Sequence, residues 1–216
     1  MSLTLHFHPL SSFCQKVVVA LYENGTPFTP KLVDLGDPEQ RMALLKLWSM
    51  GRFPLLQDEA RGRIVPESSI IIDYLDQTYP GALRLIPDDA GHALETRLQD
   101  RFFDIYLNET MQKIVGDRIR PADGKDPTGV EQARKRLQTA YDVLEHTLAG
   151  RRWAAGDAFT MADCAAAPAL YYSELVLPFR DTHKAVAAYF DRLLERPSYM
   201  RVLREAAPYL HMFPRG

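Results

Sequence analysis

The first 25 residues place a strand, a tight turn and a helix start in immediate succession. Alternating apolar residues predict a strand over residues 3–7. Ser11 and Ser12 follow the turn and predict the start of a helix, which Asn24 and Gly25 end. Unpaired backbone N–H groups and the helix dipole make such a helix start a site for an anion. A hydroxyl at Ser11 can donate to a thiolate or an alkoxide there.

The pattern continues with alternating elements as far as residue 80. It predicts a strand over 28–35 with Pro30 at a sheet edge, a helix over 38–48, a hairpin from 53 to 65, and a helix from 66 to 79. The first part of the chain is therefore expected to have the order βαβαββα.

A Pro-, Gly- and Asp-rich segment follows, and every later element has helical spacing. The sequence predicts a first domain at residues 1–80, a linker at 81–88 and an all-α domain at 89–216. Leu94, Leu98, Phe102, Ile105 and Tyr106 recur at helical spacing and predict a long helix that reaches Val115 or Ile119.

Composition excludes several classes of protein. The net charge of −2 gives no field that would attract nucleic acid or an anionic membrane. No apolar run approaches the roughly 20 residues that span a bilayer, and the N-terminus lacks a leader pattern. Cys14 and Cys164 are far apart and are expected to be reduced thiols. We therefore expect a cytoplasmic protein whose partners are small molecules or a second copy of itself.

Four motifs in this order resemble the cytosolic glutathione S-transferases. They are SSFCQKV after the first strand, GRFPLL before the hairpin, PESSIIIDYL at a helix start, and GDAFTMADCAAAP in the second half. The resemblance covers essentially the whole chain and is closest to the bacterial, serine-type, theta- or zeta-like members. It implies a thioredoxin-like N-terminal domain followed by an all-helical C-terminal domain, with glutathione as co-substrate.

The tetrad at the first helix fits activation of another molecule's thiol. Redox-active thioredoxin-like folds place Cys-x-x-Cys here, whereas this chain has Ser11 first and Cys14 last. Lowering a thiol pKa from about 8.5 to about 6.5 takes about 2.7 kcal/mol. A hydrogen bond to a charged acceptor contributes roughly 1.5–3 kcal/mol and a helix N-terminus roughly 0.3–1 kcal/mol. The resemblance implies that Ser11 donates to the glutathione sulfur, with Ser12 as a second donor and the expected helix N-cap.

The resemblance also implies how the rest of glutathione is held. Phe53-Pro54 corresponds to a cis-proline turn whose preceding residue pairs its backbone with the cysteinyl unit, and Arg52 to a contact with the glycyl carboxylate. Glu67 would accept from the γ-glutamyl ammonium, and Ser68 would donate to its carboxylate.

The second substrate is expected to be an apolar electrophile in a pocket beside the thiol. Candidates for this pocket are Leu10, Met111, Ile114, Tyr209 and Met212, although core packing explains the helical ones equally well. Whether the C-terminal segment covers the cleft or frays stays open.

Four further residues have structural interpretations. Cys14 is expected to be buried, and Asp163 to serve folding of the second domain within a capping-box motif that starts at Thr160. His6 and His8 alternate on a strand without further ligands, so no metal is expected.

Three other functions remain as alternatives. The first is a zeta-like, glutathione-dependent isomerase of the maleylacetoacetate type, although Phe13 and Lys16 depart from that pattern. The second is a non-catalytic glutathione-binding or scaffold protein. The third is a thiol-disulfide or dehydroascorbate reductase, which requires an accessible Cys14. Family members usually pair through their third and fourth helices, so a homodimer is expected.

Overall fold

A mixed four-stranded sheet forms the centre of the N-terminal half. The structure, a computed structural model, describes residues 2–214. The strand order is β2-β1-β3-β4, with β1 parallel to β2 and antiparallel to β3, and β4 antiparallel to β3. The strands are β1 (Leu3–Phe7), β2 (Thr29–Leu32), β3 (Leu55–Asp58) and β4 (Arg63–Pro66). Pro30 lies on the edge strand, as predicted, because proline cannot donate to a central ladder.

Three helices cover the two faces of this sheet. They are α1 (Ser12–Glu23), α2 (Pro38–Leu47) and α3 (Ser68–Thr78). Leu56 shares the main core with α1 and α3, whereas Leu55, one residue earlier, joins a separate cluster with Leu44 of α2. Successive strand residues point to opposite faces, so α2 lies on the face away from α1 and α3. The predicted order βαβαββα is confirmed.

The C-terminal half is helical, as predicted. Its helices are α4 (Ala90–Phe102), α5 (Thr110–Arg118), α6 (Pro127–Leu148), α7 (Met161–Val176), α8 (Lys184–Leu194) and α9 (Pro197–Ala206). A π-helical segment, Phe103–Glu109, joins α4 to α5 without a break, and a 3₁₀ segment, Ala207–Met212, follows α9. Within the described part of the chain, no helix is both long and apolar enough to cross a membrane.

The capping box predicted at the start of α7 is present. Oδ2 of Asp163 accepts from the backbone N–H of Thr160 at 2.8 Å, and Oδ1 accepts from Ala154 N at 2.8 Å. The carboxylate is fully buried and satisfies donors from the loop before the helix. Asp163 therefore holds the α6–α7 connection, as its structural interpretation predicted.

Most of the apolar stripe predicted on the long helix lies outside its buried face. Leu94 and Leu98 are 70% and 58% exposed, and Tyr106 is also exposed. The buried face instead carries Ala93, Thr96, Gln99, Asp100 and Phe103. The spacing correctly predicted a helix, but three of its five apolar residues face away from the chain's own core, whereas Phe102 and Ile105 are half-buried and Phe102 packs against that core.

Candidate functional site

Ser11 is the N-cap of α1. Its backbone is extended (φ −74°, ψ 118°), its N–H donates to His8 O at 3.0 Å, and its hydroxyl oxygen accepts from Cys14 N at 3.3 Å. Because the oxygen takes the capping bond, the hydroxyl proton remains available to an acceptor outside the helix. The side chain is half-buried at the dipole-positive end of a 12-residue helix.

Ser12 does not have the position expected of it. The expectation that Ser12 caps the helix is wrong, since it is the first helical residue and Ser11 is the cap. Its buried hydroxyl donates to Oδ1 of Asn108 at 2.7 Å, in the π-helical segment. Neighbouring residues on a helix project in different directions. Ser12 thus contacts the C-terminal half of the chain.

Two contacts fix the turn that carries Ser11. Nε2 of Gln15 donates to Pro9 O at 2.8 Å and to the Tyr172 hydroxyl at 3.0 Å, which ties the turn to α7. The imidazole ring of His8 stacks on Phe53 with centroids 6.4 Å apart. Nδ1 of His8 accepts from Leu10 N, and burial lowers the pKa of His8 from its usual value. The start of α1 is therefore held against both the second domain and the loop before β3.

The Phe53–Pro54 peptide bond is cis, as the resemblance implied. Pro54 is buried, Phe53 is half-buried and the Arg52 side chain is exposed. The loop leads directly into β3, beside β1 at the centre of the sheet. The backbone of Phe53 therefore lies at the end of the central strands where β1 stops and α1 begins.

Glu67 and Ser68 stand at the start of α3. Glu67 has φ 69° and ψ 122°, the only positive φ among the non-glycine residues described. Non-glycine residues in this region carry strain, which is often found at binding sites. The first intrahelical bond is Ile71 N to Glu67 O, so the earlier N–H groups of the helix are free for a ligand. Ser68 lies at the dipole-positive helix end and is 6% exposed.

A cleft of about 300 Å³ lies between the loop before β3, the start of α3 and Phe13 in the first turn of α1. It contains both arginine cations and carboxylates, so it can hold a molecule that carries ammonium and carboxylate groups together. Its lining residues are Phe13, Trp48, Arg52, Phe53, Pro54, Glu67, Ser68, Ser69, Ile70, Arg101, Asp104 and Glu109.

The cleft brings together five of the predicted site residues: Arg52, Phe53, Pro54, Glu67 and Ser68. Among the residues described, Ser11, Ser12, Leu10, Met111, Ile114 and Tyr209 are outside its lining. Sequence reasoning missed Arg101, Asp104 and Glu109. All three are charged residues in the predicted long helix, whose apolar residues alone were used for the prediction; its charged residues could have indicated a second, polar face.

A buried ion cluster lies directly behind the cleft. Nζ of Lys16 is 2.6 Å from Oδ1 of Asp100 and 2.7 Å from Oδ2 of Asp104, and it donates to the Ser69 hydroxyl at 2.8 Å. Burial opposes the charge on Lys16, yet the two carboxylates together raise its pKa above the usual value. Burial likewise raises the pKa of the Asp104 carboxyl against the effect of Lys16. Lys16 is therefore a cation held inside the protein.

Burial makes both thiols of the chain unreactive. Cys14 is fully buried, and burial raises its pKa to about 12, although the Ser11 hydrogen bond opposes this shift. Burial also raises the pKa of Cys164 well above its usual value. A thiol with so little thiolate is a poor nucleophile at neutral pH. Within residues 2–214, no group of three or more His, Cys, Asp or Glu side chains is placed to hold a metal ion.

The residues proposed for a second substrate divide into two groups. Met111 and Ile114 are 3% and 2% exposed and belong to the main core, which favours the packing explanation. Tyr209 lies edge-on to His8 with ring centroids 5.4 Å apart, and Leu10 lies half-buried in the same turn. Met212 is largely exposed at the end of the 3₁₀ segment.

The C-terminal segment folds back toward Ser11. Arg118 Nη1 donates to Pro214 O at 2.9 Å, and the ring of Phe213 stacks on Tyr172 at 5.3 Å. Through residue 214 the segment is therefore held against α5 and α7 and beside the turn before α1; the last two residues lie outside the described part.

Comparison with known proteins agrees with this architecture. The model of the glutathione S-transferase N-terminal domain matches residues 5–83, and that of the C-terminal domain matches residues 104–197. A glutathione S-transferase-like protein, LUC7, from a Fusarium species is 32% identical over 190 residues, which cover 83% of this chain and 83% of that protein.

Two further proteins are similar over nearly the whole length. FtsZ-localized protein A of Caulobacter vibrioides is 27% identical over 96% of this chain and 93% of its own. The structure of a glutathione S-transferase from Methylobacterium radiotolerans in complex with glutathione sulfonate superimposes with a TM-score of 0.82. It is 25% identical and covers 100% of this chain and 96% of its own. The chain belongs to the glutathione S-transferase family.

Proposed function

We propose that this protein is a glutathione transferase in which the Ser11 hydroxyl stabilises the glutathione thiolate. The observation that carries the proposal is the N-cap geometry of Ser11. Its oxygen accepts from Cys14 N, and its proton is left to donate outward at the positive end of α1. The thiol proton passes to water, and the thiolate attacks an electrophilic carbon of an apolar substrate. A carbon–sulfur bond forms as the bond from that carbon to a leaving group breaks, and the leaving group departs with the electron pair.

The cleft holds the remainder of the tripeptide in this proposal. Glu67 accepts from the γ-glutamyl ammonium, and the α3 start at Ser68 donates to the adjacent carboxylate. The backbone of Phe53 before Pro54 pairs with the cysteinyl unit, and the exposed Arg52 reaches the glycyl carboxylate. The charges of glutathione, one ammonium and two carboxylates, complement those of the cleft.

For the second substrate we retain Leu10, which lies in the turn that carries Ser11, and Tyr209, whose ring packs edge-on against His8 of that turn. Met111 and Ile114 are not retained, because both are buried in the core. No metal takes part in the proposed reaction.

The proposal extends to the domain boundaries, the location and the assembly state of the protein. We place the glutathione-binding domain at residues 1–80, the linker at 81–88 and the helical domain at 89–216, in a cytoplasmic homodimer. The exposed side chains of Ile70, Leu94 and Leu98 on α3 and α4 support pairing through those helices.

The test is a pH titration of bound glutathione, followed by thiolate absorbance near 240 nm. The wild type should show a thiol pKa about 1–2 units below that of free glutathione, and Ser11→Ala should lose most of this shift. Ser11→Thr is the matched control, since it keeps a hydroxyl at the cap. Equal pKa values in the wild type and Ser11→Ala would show that Ser11 only caps the helix.

A second candidate is a protein that keeps the fold for binding partners rather than for catalysis. The similarity to FtsZ-localized protein A favours this candidate. The charged cleft with its intact Glu67–Ser68 pair favours the enzyme. Calorimetry with glutathione and the 240 nm titration separate the two. Micromolar to millimolar binding with a lowered thiol pKa supports the transferase, whereas no binding, or binding without a lowered thiol pKa, supports the non-catalytic protein.

The zeta-like isomerase is less well supported. Lys16, which stands in place of the arginine of that pattern, is 1% exposed and bound to Asp100 and Asp104. A side chain held in this way is unavailable to a substrate. Incubation with maleylacetoacetate and catalytic glutathione tests the isomerase directly.

A further inference from the structure

A buried polar cluster joins the two halves of the chain immediately behind the cleft, and we call it the interdomain seam. It consists of Ser12 and Lys16 of α1, Ser69 of α3, Asp100 of α4, and Asp104 and Asn108 of the π-helical segment. Ser12 and Lys16 are one helical turn apart, and Asp100, Asp104 and Asn108 follow each other at intervals of four. Two helices therefore meet along a polar stripe.

Each end of the seam adjoins one of the two serines proposed to hold glutathione. At one end, Ser12 follows Ser11 and donates to Asn108 at 2.7 Å. At the other, Ser69 follows Ser68 and donates to Oδ2 of Asp100 at 2.7 Å. In both pairs the second serine points into the seam, whereas the first is the one assigned to the ligand.

Lys16 links the two ends. Its ammonium contacts Asp100 and Asp104 and donates to Ser69, while one turn away on the same helix Ser12 binds Asn108. Charged hydrogen bonds at low dielectric are stiff and directional, because every alternative arrangement leaves a buried group unpaired. The seam thus fixes the starts of α1 and α3 to one stretch of helix.

We propose that the two ends of the interdomain seam position different serines: the Ser12–Asn108 contact positions Ser11 at the thiol end of glutathione, and the Ser69–Asp100 contact positions Ser68 at its γ-glutamyl end. After loss of the Ser69 hydroxyl, Lys16 still holds α1 to Asp100 and Asp104, so the thiol end keeps its anchor. The proposal rests on the proposed function, because it assumes that glutathione occupies the cleft. Ser12, Ser69 and Asn108 are positioning residues in it, since they act through their neighbours. It goes beyond a general role in domain packing because it assigns different consequences to the two ends.

Single-site variants of the two serines provide the test. Lys16 is a poor target, because its removal leaves two buried carboxylates without a counter-charge and threatens folding. Ser12→Ala and Ser69→Ala each remove one hydroxyl at little cost in volume. Asn108→Ala removes the acceptor of the same Ser12–Asn108 hydrogen bond and serves as a second variant if Ser12→Ala does not fold.

Two measurements report the two ends separately. The 240 nm titration at saturating glutathione gives the pKa of the bound thiol. Calorimetry with S-methylglutathione, which has no thiol to ionise, gives the affinity of the protein for the rest of the tripeptide. Ser198→Ala is the matched control, because this buried serine donates to Glu23 at the opposite end of α1.

The expected results differ between the two ends of the seam. Ser12→Ala and Asn108→Ala raise the bound thiol pKa by about half to one unit and change S-methylglutathione affinity less than about 2-fold. Ser69→Ala weakens S-methylglutathione binding about 3- to 10-fold and leaves the thiol pKa within about 0.2 units. Ser12→Thr and Ser69→Thr, which keep the hydroxyl, retain the wild-type thiol pKa and S-methylglutathione affinity, and Ser198→Ala changes neither quantity.

Other outcomes overturn the proposal. If each alanine variant shifts both quantities together, or lowers the Tm without shifting either, the seam only joins the domains. If the wild type itself fails to bind S-methylglutathione, the proposed function fails and the seam proposal fails with it. Binding by the wild type with unresponsive variants removes the seam proposal alone.

Discussion

The hydroxyl of Tyr189 donates to Oδ1 of Asp163 across 2.6 Å, which joins α8 to the start of α7. The same carboxylate accepts from the backbone of Ala154 and Thr160. Asp163→Asn keeps the shape but turns an NH₂ group toward N–H donors. We expect a loss of about 3 kcal/mol in unfolding free energy and a Tm lower by about 6–12 °C. Differential scanning calorimetry measures both, and Asp157→Asn, at an exposed position, should change neither.

The strained backbone of Glu67 predicts that a glycine at this position raises the stability of the protein and weakens its binding of glutathione. Its φ of 69° is readily adopted by glycine, so Glu67→Gly should raise the unfolding free energy by about 1 kcal/mol. The same variant removes the proposed ammonium acceptor and should weaken glutathione binding at least about 10-fold. Glu67→Gln, which keeps a side chain on the strained backbone, should lose affinity without gaining stability. Urea denaturation and calorimetry separate the two effects.

Cysteine labelling tests the burial of the thiols. Cys14 and Cys164 are both fully buried, and the pKa of Cys14 is raised to about 12. Iodoacetamide should therefore leave the native protein unmodified and should label both residues in urea. Rapid labelling of Cys14 in the native state would contradict this burial and would revive the reductase alternative.

Acidification should destabilise the protein through His6. This side chain is 3% exposed, and burial lowers its pKa below 6.5, with Lys31 acting in the same direction and a Gln57 hydrogen bond opposing. The unfolded chain takes up a proton near pH 6.5 while the folded protein does not, so stability is full above pH 6.5 and falls as the pH drops toward the lowered pKa.

Urea denaturation at pH 7.5 and pH 5.5 measures this loss. His6→Gln should reduce the difference in unfolding free energy between the two pH values, and His146→Gln, at an exposed position, should preserve it. An unchanged difference in His6→Gln would assign the acid sensitivity to other groups, such as His8, whose pKa burial also lowers.

The exposed leucines of α4 predict the assembly state. Leu94 and Leu98 lie one turn apart and are 70% and 58% exposed, which is costly for a lone chain in water. The wild type should sediment as a dimer, and Leu94→Glu with Leu98→Glu should sediment as a folded monomer. Val143→Glu, at another exposed apolar position on α6 (44%), should stay dimeric. A monomeric wild type would contradict the proposed pairing.

Local signals were enough to predict most elements, because their causes are local. Pro38 and Asp37 start α2 wherever the helix packs, and the Thr160–Asp163 capping box needs only four residues. The cis bond before Pro54 was predictable only through the resemblance, since an isolated X–Pro bond favours trans.

Long-range pairing set the limits of the sequence prediction. Nothing near Lys16 in the chain indicates that its partners are Asp100 and Asp104, which lie more than 80 positions away. The spacing of Leu94 and Leu98 is the same whether they meet their own chain or another. Tertiary packing decided these features.

Helix α4 has an apolar outer side at Leu94 and Leu98 and a charged inner side at Asp100. A second copy bound along the outside would restrain the same helix that anchors the starts of α1 and α3. Self-association and ligand affinity would then be thermodynamically linked, so that dilution of the protein would weaken its hold on glutathione, and saturating glutathione would tighten the dimer.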